Sequence, residues 1–192
     1  MQIGCVVLAA GKSTRFGGNK LLAPLNGVPL LAHTVKAIPT ALFSQMVAVV
    51  SDFQVAQLCR EFDVEVCAYE GGPQSQSIRT GLQALKPMDG CLFVLGDQPL
   101  CSSESIQRLV HSFQAQPEHV HRLSYQGQPS SPTLFPANLF PALMQLHGER
   151  GGMATAGDTP VHYVEAFCPQ ELWDADTPDK LSKIQQYLQA HP

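Results

Sequence analysis
At 192 residues, 44% of them hydrophobic and 15% charged, the chain has the size of one ordinary domain and enough apolar content for a core without disulfides or a structural metal. That composition excludes a disordered, collagen-like or coiled-coil chain, and a net charge of −4 argues against nucleic-acid binding through a broad basic face. No apolar run approaches the roughly 18 residues a membrane helix needs, and the amino terminus lacks the charged-then-apolar layout of a signal peptide, so a cytoplasmic protein with no membrane partner is expected.

The elements follow in chain order. Ile3 to Ala10 is a short, nearly continuous β-branched run, the pattern of a strand buried on both faces. Pro29 opens an apolar helix carrying Leu30, Leu31, Val35 and Ile38, and Met46 to Val50 reads as a second buried strand. Val55, Leu58, Cys59 and Phe62 recur at helical spacing; Val64, Val66 and Ala68 alternate as in a strand. A loop over residues 70–74 leads to a helix ending near Lys86, then Cys91 to Leu95 forms another buried strand. Ile106, Leu109, Val110 and Phe113 draw one apolar stripe on a helix capped by Ser102 or Ser103. Segments 119–125 and 131–135 read as strands, Ala137 to Leu146 as a helix and Val161 to Glu165 as a short strand; a helix from Thr177 to Gln189, with Pro178 in its first turn, closes the chain. Alternating strands and helices predict a three-layer, doubly wound α/β domain with a mostly parallel, Rossmann-like sheet, spanning residues 1–192 as a single domain.

The six cysteines show no Cys-x-x-Cys spacing and several fall in apolar runs, which favours reduced core thiols. His119 and His121, the one close pair of histidines, read as surface residues of a strand, without the cysteine or acidic neighbours a zinc site needs.

Charge is distributed unevenly. Residues 1–51 hold Lys12, Arg15, Lys20 and Lys36 and no acid, so the rest of the chain carries −8. Three of these cations lie in Gly11-Lys12-Ser13-Thr14-Arg15-Phe16-Gly17-Gly18-Asn19-Lys20, directly after the first strand. A solvated basic turn accounts for the lysines but not for the missing acids or the clustered glycines. An anion loop accounts for all three, because glycines let successive N–H groups face one concavity and Arg15 and Lys20 neutralise phosphate oxygens. The Walker A motif is excluded, since position 6 is Val where it needs Gly, and G-x-G-x-x-G is absent.

Ligands of open parallel sheets sit beyond the carboxyl ends of the strands, and two acidic turns occupy that position. Gly96-Asp97-Gln98-Pro99 follows a buried strand, and its Asp97 is suited to magnesium, which takes carboxylates, waters and substrate phosphates. Trp173-Asp174-Ala175-Asp176-Thr177-Pro178 precedes the last helix, and its two carboxylates share one side if the segment is extended. Each aspartate also has a plain reading as a turn or helix-cap residue.

At these sites the sequence resembles the molybdenum cofactor nucleotidyltransferases, within the superfamily of sugar and isoprenoid nucleotidyltransferases. Leu8-Ala9-Ala10-Gly11-Lys12-Ser13-Thr14-Arg15-Phe16-Gly17-Gly18-Asn19-Lys20 is similar to the family signature L-A-A-G-x-S-x-R-x-G-x-x-K, and Gly96 to Leu100, Gly148 to Gly151 and Asp174 to Pro178 match in order. The resemblance implies transfer of a nucleoside monophosphate to the terminal phosphate of molybdopterin cofactor, with Mg2+ and release of pyrophosphate. Ala9-Ala10-Gly11 is similar to the CTP-using version, whereas GTP-using members carry Ala-Gly-Gly. Arg15, Lys20 and Asp97 are then the catalytic residues, Lys20 nearest the α-phosphate. Leu8 to Arg15, Gly17, Gly18 and Lys20, with Ser77 at the base or ribose, hold the nucleotide. Asp97 and Asp176, with Asp174 as the alternative, hold the metal. The N-terminal half binds nucleotide and the C-terminal half the acceptor, around Gly127 to Pro136 with Ser131, Pro132 and Arg150. Where the family has Gly-His-Pro, this chain reads Ser130-Ser131-Pro132, which leaves other acceptors open: a sugar phosphate, methylerythritol phosphate, or molybdopterin taking GMP. A non-catalytic cofactor carrier is the rival of a different class. Its weakness is that a carrier needs no magnesium site. A recipient molybdoenzyme is the partner implied downstream.

Overall fold
The computed structural model describes residues 1–11 and 13–191. Its elements are β1 (Ile3–Ala9), β2 (Pro24–Leu25), β3 (Val28–Pro29), α1 (Leu30–Ala37), β4 (Gln45–Val50), α2 (Phe53–Glu61), β5 (Glu65–Ala68), α3 (Gln74–Ala84), β6 (Gly90–Leu95), α4 (Ser103–Ala115), β7 (Val120–Tyr125), β8 (Gln128–Pro136), α5 (Phe140–Leu143), β9 (Val161–Glu165) and α6 (Pro178–Ala190). Seven strands form one sheet in the order β5-β4-β1-β6-β8-β7-β9, in which β8 runs against its neighbours and the other six share a direction. This is the mostly parallel, three-layer α/β architecture the strand–helix alternation predicts.

Side-chain alternation along the strands divides the core into two layers. Cys5, Val7, Ala48 and Leu92 face α1, α2, α4 and α6, while Val6, Val47, Val49 and Phe93 face α3 and α5. On the second face α3 lies close to the sheet: a Cβ added at Gly81 would sit 2.3 Å from Val6 Cγ1. Helix starts carry side-chain caps: Asp52 accepts from Gln54 and Val55 N–H, Ser102 Oγ from Ser105 N–H, and Thr177 Oγ1 from Lys180 N–H. Of the two serines offered as cap of α4, Ser102 takes the role, and its own N–H and hydroxyl donate to the buried Glu171 carboxylate at 3.1 and 2.9 Å. All six cysteines are free thiols, four of them buried.

Three features depart from the sequence reading. The segment from Ala137 to Leu146 is not one helix: a 3-10 turn over Ala137–Leu139 gives way to the four-residue α5. Pro141 has no N–H to return to Ala137, whose carbonyl instead accepts from Phe140. His121 is fully buried rather than on the surface. It faces α4, where Ser112 Oγ and the Gln116 carbonyl each lie 2.9 Å from a ring nitrogen and satisfy it. The β2–β3 hairpin was not foreseen either, although its two-residue turn Asn26-Gly27, with φ of 51° and 79°, carries the Asn-Gly signature of tight hairpins.

The crossovers from β1 to β4 and on to β5 run outward on one side, and the chain then returns past β1 to β6 on the other. The direction of winding therefore reverses between β1 and β6, and a crevice opens beyond their carboxyl ends. The loop after β1 and the turn after β6 meet there.

Candidate active site
Two buried contacts aim the acidic turn after β6. Gly96 N–H donates to the Leu8 carbonyl at 3.0 Å, and Thr34 Oγ1 donates from α1 to the Gly96 carbonyl at 3.1 Å. The Asp97 carbonyl in turn accepts from Ala175 N–H at 3.0 Å, which fastens the loop before α6 to this turn. Ala175 is wholly buried, so Asp174 and Asp176 project on either side of an anchored residue. Trp173 packs beside this loop with its ring against Tyr187, and Lys183 Nζ lies 4.1 Å from the ring centre.

The opposite wall is the loop after β1. Phe16 N–H returns to the Ser13 carbonyl at 2.9 Å, and both Ser13 and Gly17 adopt positive φ. Asn19 Oδ1 then caps a short 3-10 turn, Lys20–Leu22, by accepting from Leu21 N–H. Leu21 drives into the core, and Lys20 is planted at its mouth. Lys20 Nζ donates to Asp97 Oδ2 at 2.5 Å and to Asp176 Oδ1 at 2.7 Å; Arg15 Nη2 reaches Asp176 Oδ2 at 3.3 Å. Lys180 pairs with Asp174 and lies 3.9 Å from Asp176.

The electrostatics follow from this cluster. Burial works against the Lys20 ammonium, but the Asp97 charge and the hydrogen bonds to Asp176 and Asp97 outweigh it, so the Lys20 pKa is raised. Burial also works against ionised Asp176, yet the hydrogen bond and charge of Lys20, with Arg15 and Lys180 beyond, hold its pKa down. Asp97 and Asp176 thus converge on a single cation, the Lys20 ammonium. Two converging carboxylates leave the remaining positions to water and phosphate oxygens, the donor set magnesium prefers. The residues present fit such an ion. Among the described residues no group of three or more His, Cys, Asp or Glu side chains could hold a metal by protein ligands alone.

The cleft between these walls measures about 920 Å³. The residues singled out from sequence divide cleanly against it. Leu8, Ala10, Gly11, Ser13, Thr14, Arg15 and Lys20 line it from the β1 side, Ser77 from α3, and Asp97, Asp174, Asp176 and Ser131 from the far side. Ala9 points into the other core layer, Gly17 and Gly18 turn to solvent, Pro132 is buried within β8 and Arg150 is exposed; none of these five lines the cleft. Lys12 lies outside the described residues. Ser130, within the expected acceptor stretch Gly127 to Pro136, lines the cleft too, and so do Gln74, Gln98, Arg122 and Glu149, to which the sequence reading gave no role. Arg122 had a signal, a lone guanidinium inside the strand pattern Val120-His121-Arg122-Leu123; the others sit on turns and helix ends, and spacing does not reveal which way they face.

Comparison with known proteins accords with this geometry. The model of the MobA-like NTP transferase domain matches residues 5–162. Purine catabolism protein PucB of Bacillus subtilis is 30% identical across 95% of this chain and 96% of its own. A probable molybdenum cofactor guanylyltransferase of Pyrococcus horikoshii is 35% identical, over 59% of this chain and 57% of that one, so this alignment spans little more than half of the relative. Among solved structures, Rv0371c of Mycobacterium tuberculosis H37Rv in complex with manganese superposes with a TM-score of 0.80 at 26% identity, over 97% of this chain and 99% of that one.

Proposed function
We infer the reaction from one premise: the chain belongs to the MobA-like NTP transferase family and is an enzyme that transfers nucleotides. Its nucleotide is CTP, its acceptor the terminal phosphate of molybdopterin cofactor, its metal Mg2+ and its by-product pyrophosphate. The observation that carries this reading is Lys20, at the end of the cationic glycine loop, held between Asp97 and Asp176. Ala9-Ala10 where GTP-using members carry Ala-Gly favours CTP. The second reading, transfer of GMP, is favoured by relatives named guanylyltransferases. The N-terminal half supplies the nucleotide's contacts and the C-terminal half the acceptor's.

In the reaction an oxygen of the acceptor phosphate attacks the α-phosphorus in line. The α–β bridging P–O bond breaks, and its electron pair leaves with pyrophosphate. An acceptor phosphate dianion needs no proton removed, so the chain has no general base to supply. Its task is to bring two anions together, and positioning and preorganised charge dominate. Arg15 and the loop N–H groups hold the β and γ oxygens, and Lys20 offsets charge that builds at the α-phosphate. Asp97 and Asp176 would hold the divalent ion, with Asp174 beside them. When bound, that ion neutralises phosphate oxygens and acts as a Lewis acid.

Incubating the protein with Mg2+, molybdopterin cofactor and each nucleoside triphosphate in turn, and following pyrophosphate, tests the reading. Release with CTP alone is expected; release with GTP alone moves the enzyme to the second reading. Asp97→Asn should abolish turnover and leave the melting temperature within a few degrees, because the substitution removes no core contact. Full CMP transfer by that variant would refute the metal assignment.

A further inference from the structure
Beside the main cleft, on its β8 side, lies an annex of about 180 Å³. Leu8, Ile78, Phe93, Phe135 and Met153 give it apolar walls, Gln74, Ser131 and Thr133 line it as well, and Phe93 and Phe135 meet edge to face at 5.9 Å. Among the described residues, none of the loop 11–20 and no aspartate of the acidic turns reaches it. The place where triphosphate is held is therefore elsewhere. One charged side chain borders both spaces among the described residues: Arg122, which projects from β7 onto the α3 face of the sheet.

Arg122 is held but not neutralised. Its Nε donates to the Ser130 carbonyl at 3.0 Å, and no carboxylate among the described residues pairs with it. Burial works against its charge, and this half-buried guanidinium is left without the anion that such groups require. Ser130 is itself fixed: Gln98, 3% exposed, donates from Nε2 to Ser130 Oγ at 3.1 Å and to the Leu172 carbonyl at 3.4 Å. Gln98 Oε1 has no partner among the described residues. The turn that bears the metal-binding candidate Asp97 thus also locks the orientation of Arg122. A fork fixed through one nitrogen, with its other donors uncommitted, is built to receive a phosphate.

We propose that Arg122 and the annex form the acceptor subsite, which takes a phosphate monoester carried on a planar ring and discriminates against polyol phosphates. The Arg122 guanidinium binds the attacking phosphate, and the ring enters between Phe93, Phe135 and Ile78. Size supports a ring, since a cavity of roughly 150 Å³ with Leu, Ile and Phe walls admits benzene. Chemistry supports it too: a polyol would set hydroxyls against Phe93, Phe135 and Ile78, which offer them no hydrogen-bond partner, whereas a ring face packs there without that cost. The proposal rests on the nucleotidyltransferase reading for the identity of the attacking group. The ring preference belongs to the annex itself.

The test uses the intact enzyme and two probes, phenyl phosphate and erythritol 4-phosphate, titrated calorimetrically alongside Mg·CTP and Mg·GTP. Wild-type protein should bind phenyl phosphate at least tenfold more tightly than the polyol ester. Arg122→Met should weaken phenyl phosphate about tenfold with nucleotide affinity unchanged within twofold, and Arg122→Lys, which keeps the charge and loses the fork, should fall between. Met153→Trp, made on a partly exposed turn and filling the annex, should erase the preference for the ring and leave erythritol 4-phosphate binding as it was. Equal binding of the two esters, or an Arg122→Met variant that binds phenyl phosphate normally, overturns the proposal. Loss of nucleotide affinity in both variants overturns it as well, by assigning the annex to the base. If the ring ester binds through Arg122 while neither nucleotide binds at all, the subsite stands and the nucleotidyltransferase reading falls.

Discussion
Lys20 is the residue on which the site turns. Its ammonium is nearly enclosed and bonded to two carboxylates, so removing it deprives the transition state of a preorganised charge, strips Asp97 of its cation and leaves Asp176 with Arg15 and Lys180 alone. Lys20→Ala should lower kcat by roughly 10²–10³, the cost of deleting one such donor, with a smaller change in nucleotide KM; a steady-state comparison that finds kcat intact refutes the role. The same ammonium competes with a divalent ion for its carboxylates. Millimolar Mg2+ should therefore raise the melting temperature of Lys20→Met more than that of wild type, and should leave Asp97→Asn unmoved, because ligand binding to the folded state stabilises it in proportion to affinity. A thermal shift in Asp97→Asn equal to that of wild type removes Asp97 from the metal site. Of these residues Lys20, Asp97 and Asp176 were legible in sequence, because charged groups in glycine-rich or turn contexts have no core to serve. Gln98 and Arg122 were not: an amide on a turn and an arginine on a buried strand have common structural uses, and only the fold shows that both border a cleft.

Among the elements, α3 sets the depth of the cleft on its own side, since Ser77 lines it while Gly81, one turn later, rests on β1 and β4. Two effects oppose each other at Gly81. Alanine gains about 0.5–1 kcal/mol in a helix interior by lowering the entropy of the unfolded chain, but its Cβ would meet Val6 Cγ1 at 2.3 Å, and overpacking costs about 1–3 kcal/mol. The clash wins, so Gly81→Ala should lower unfolding free energy by about 1 kcal/mol in a urea titration, and a gain in stability would show that α3 rides freely over the sheet. Strands and long helices were legible because their apolar periods are long. The segment 137–146 was misread because its apolar residues keep helical spacing, while the missing N–H of Pro141 acts on one hydrogen bond that a periodicity does not weigh.

For the molecule as a whole, pH dependence comes from groups far apart in the fold. Burial, with the charges of His162 and His119, holds the His121 pKa below its ordinary 6.5, despite the opposing Gln116 hydrogen bond and Glu118. The unfolded chain then binds the proton more readily, so this contribution to stability is complete above pH 6.5 and is lost as pH falls through the depressed folded value. Asp176 acts in the same sense lower down, present above its ordinary 3.8 and lost below; Lys20, with a raised pKa, contributes below 10.5 and is lost at higher pH. Melting temperature should therefore fall between pH 7 and 5, and His121→Gln, which keeps one donor and one acceptor, should flatten that fall. An unchanged slope in the variant assigns the acid sensitivity to the carboxylates instead. Among the described residues no helix is long and apolar enough to cross a membrane.

The sequence by itself determined the layered α/β fold and marked out the cationic glycine loop and the acidic turns, because hydrophobic period, glycine placement and an absence of acids over the first 51 residues are local properties of the chain. The tertiary structure alone decided that the switch between β1 and β6 brings Lys20 against two aspartates 77 and 156 residues away. It alone set Arg122 at the mouth of an apolar annex. Contacts between distant parts of the chain depend on strand order and on the face each residue takes, and neither is written in any short stretch of sequence.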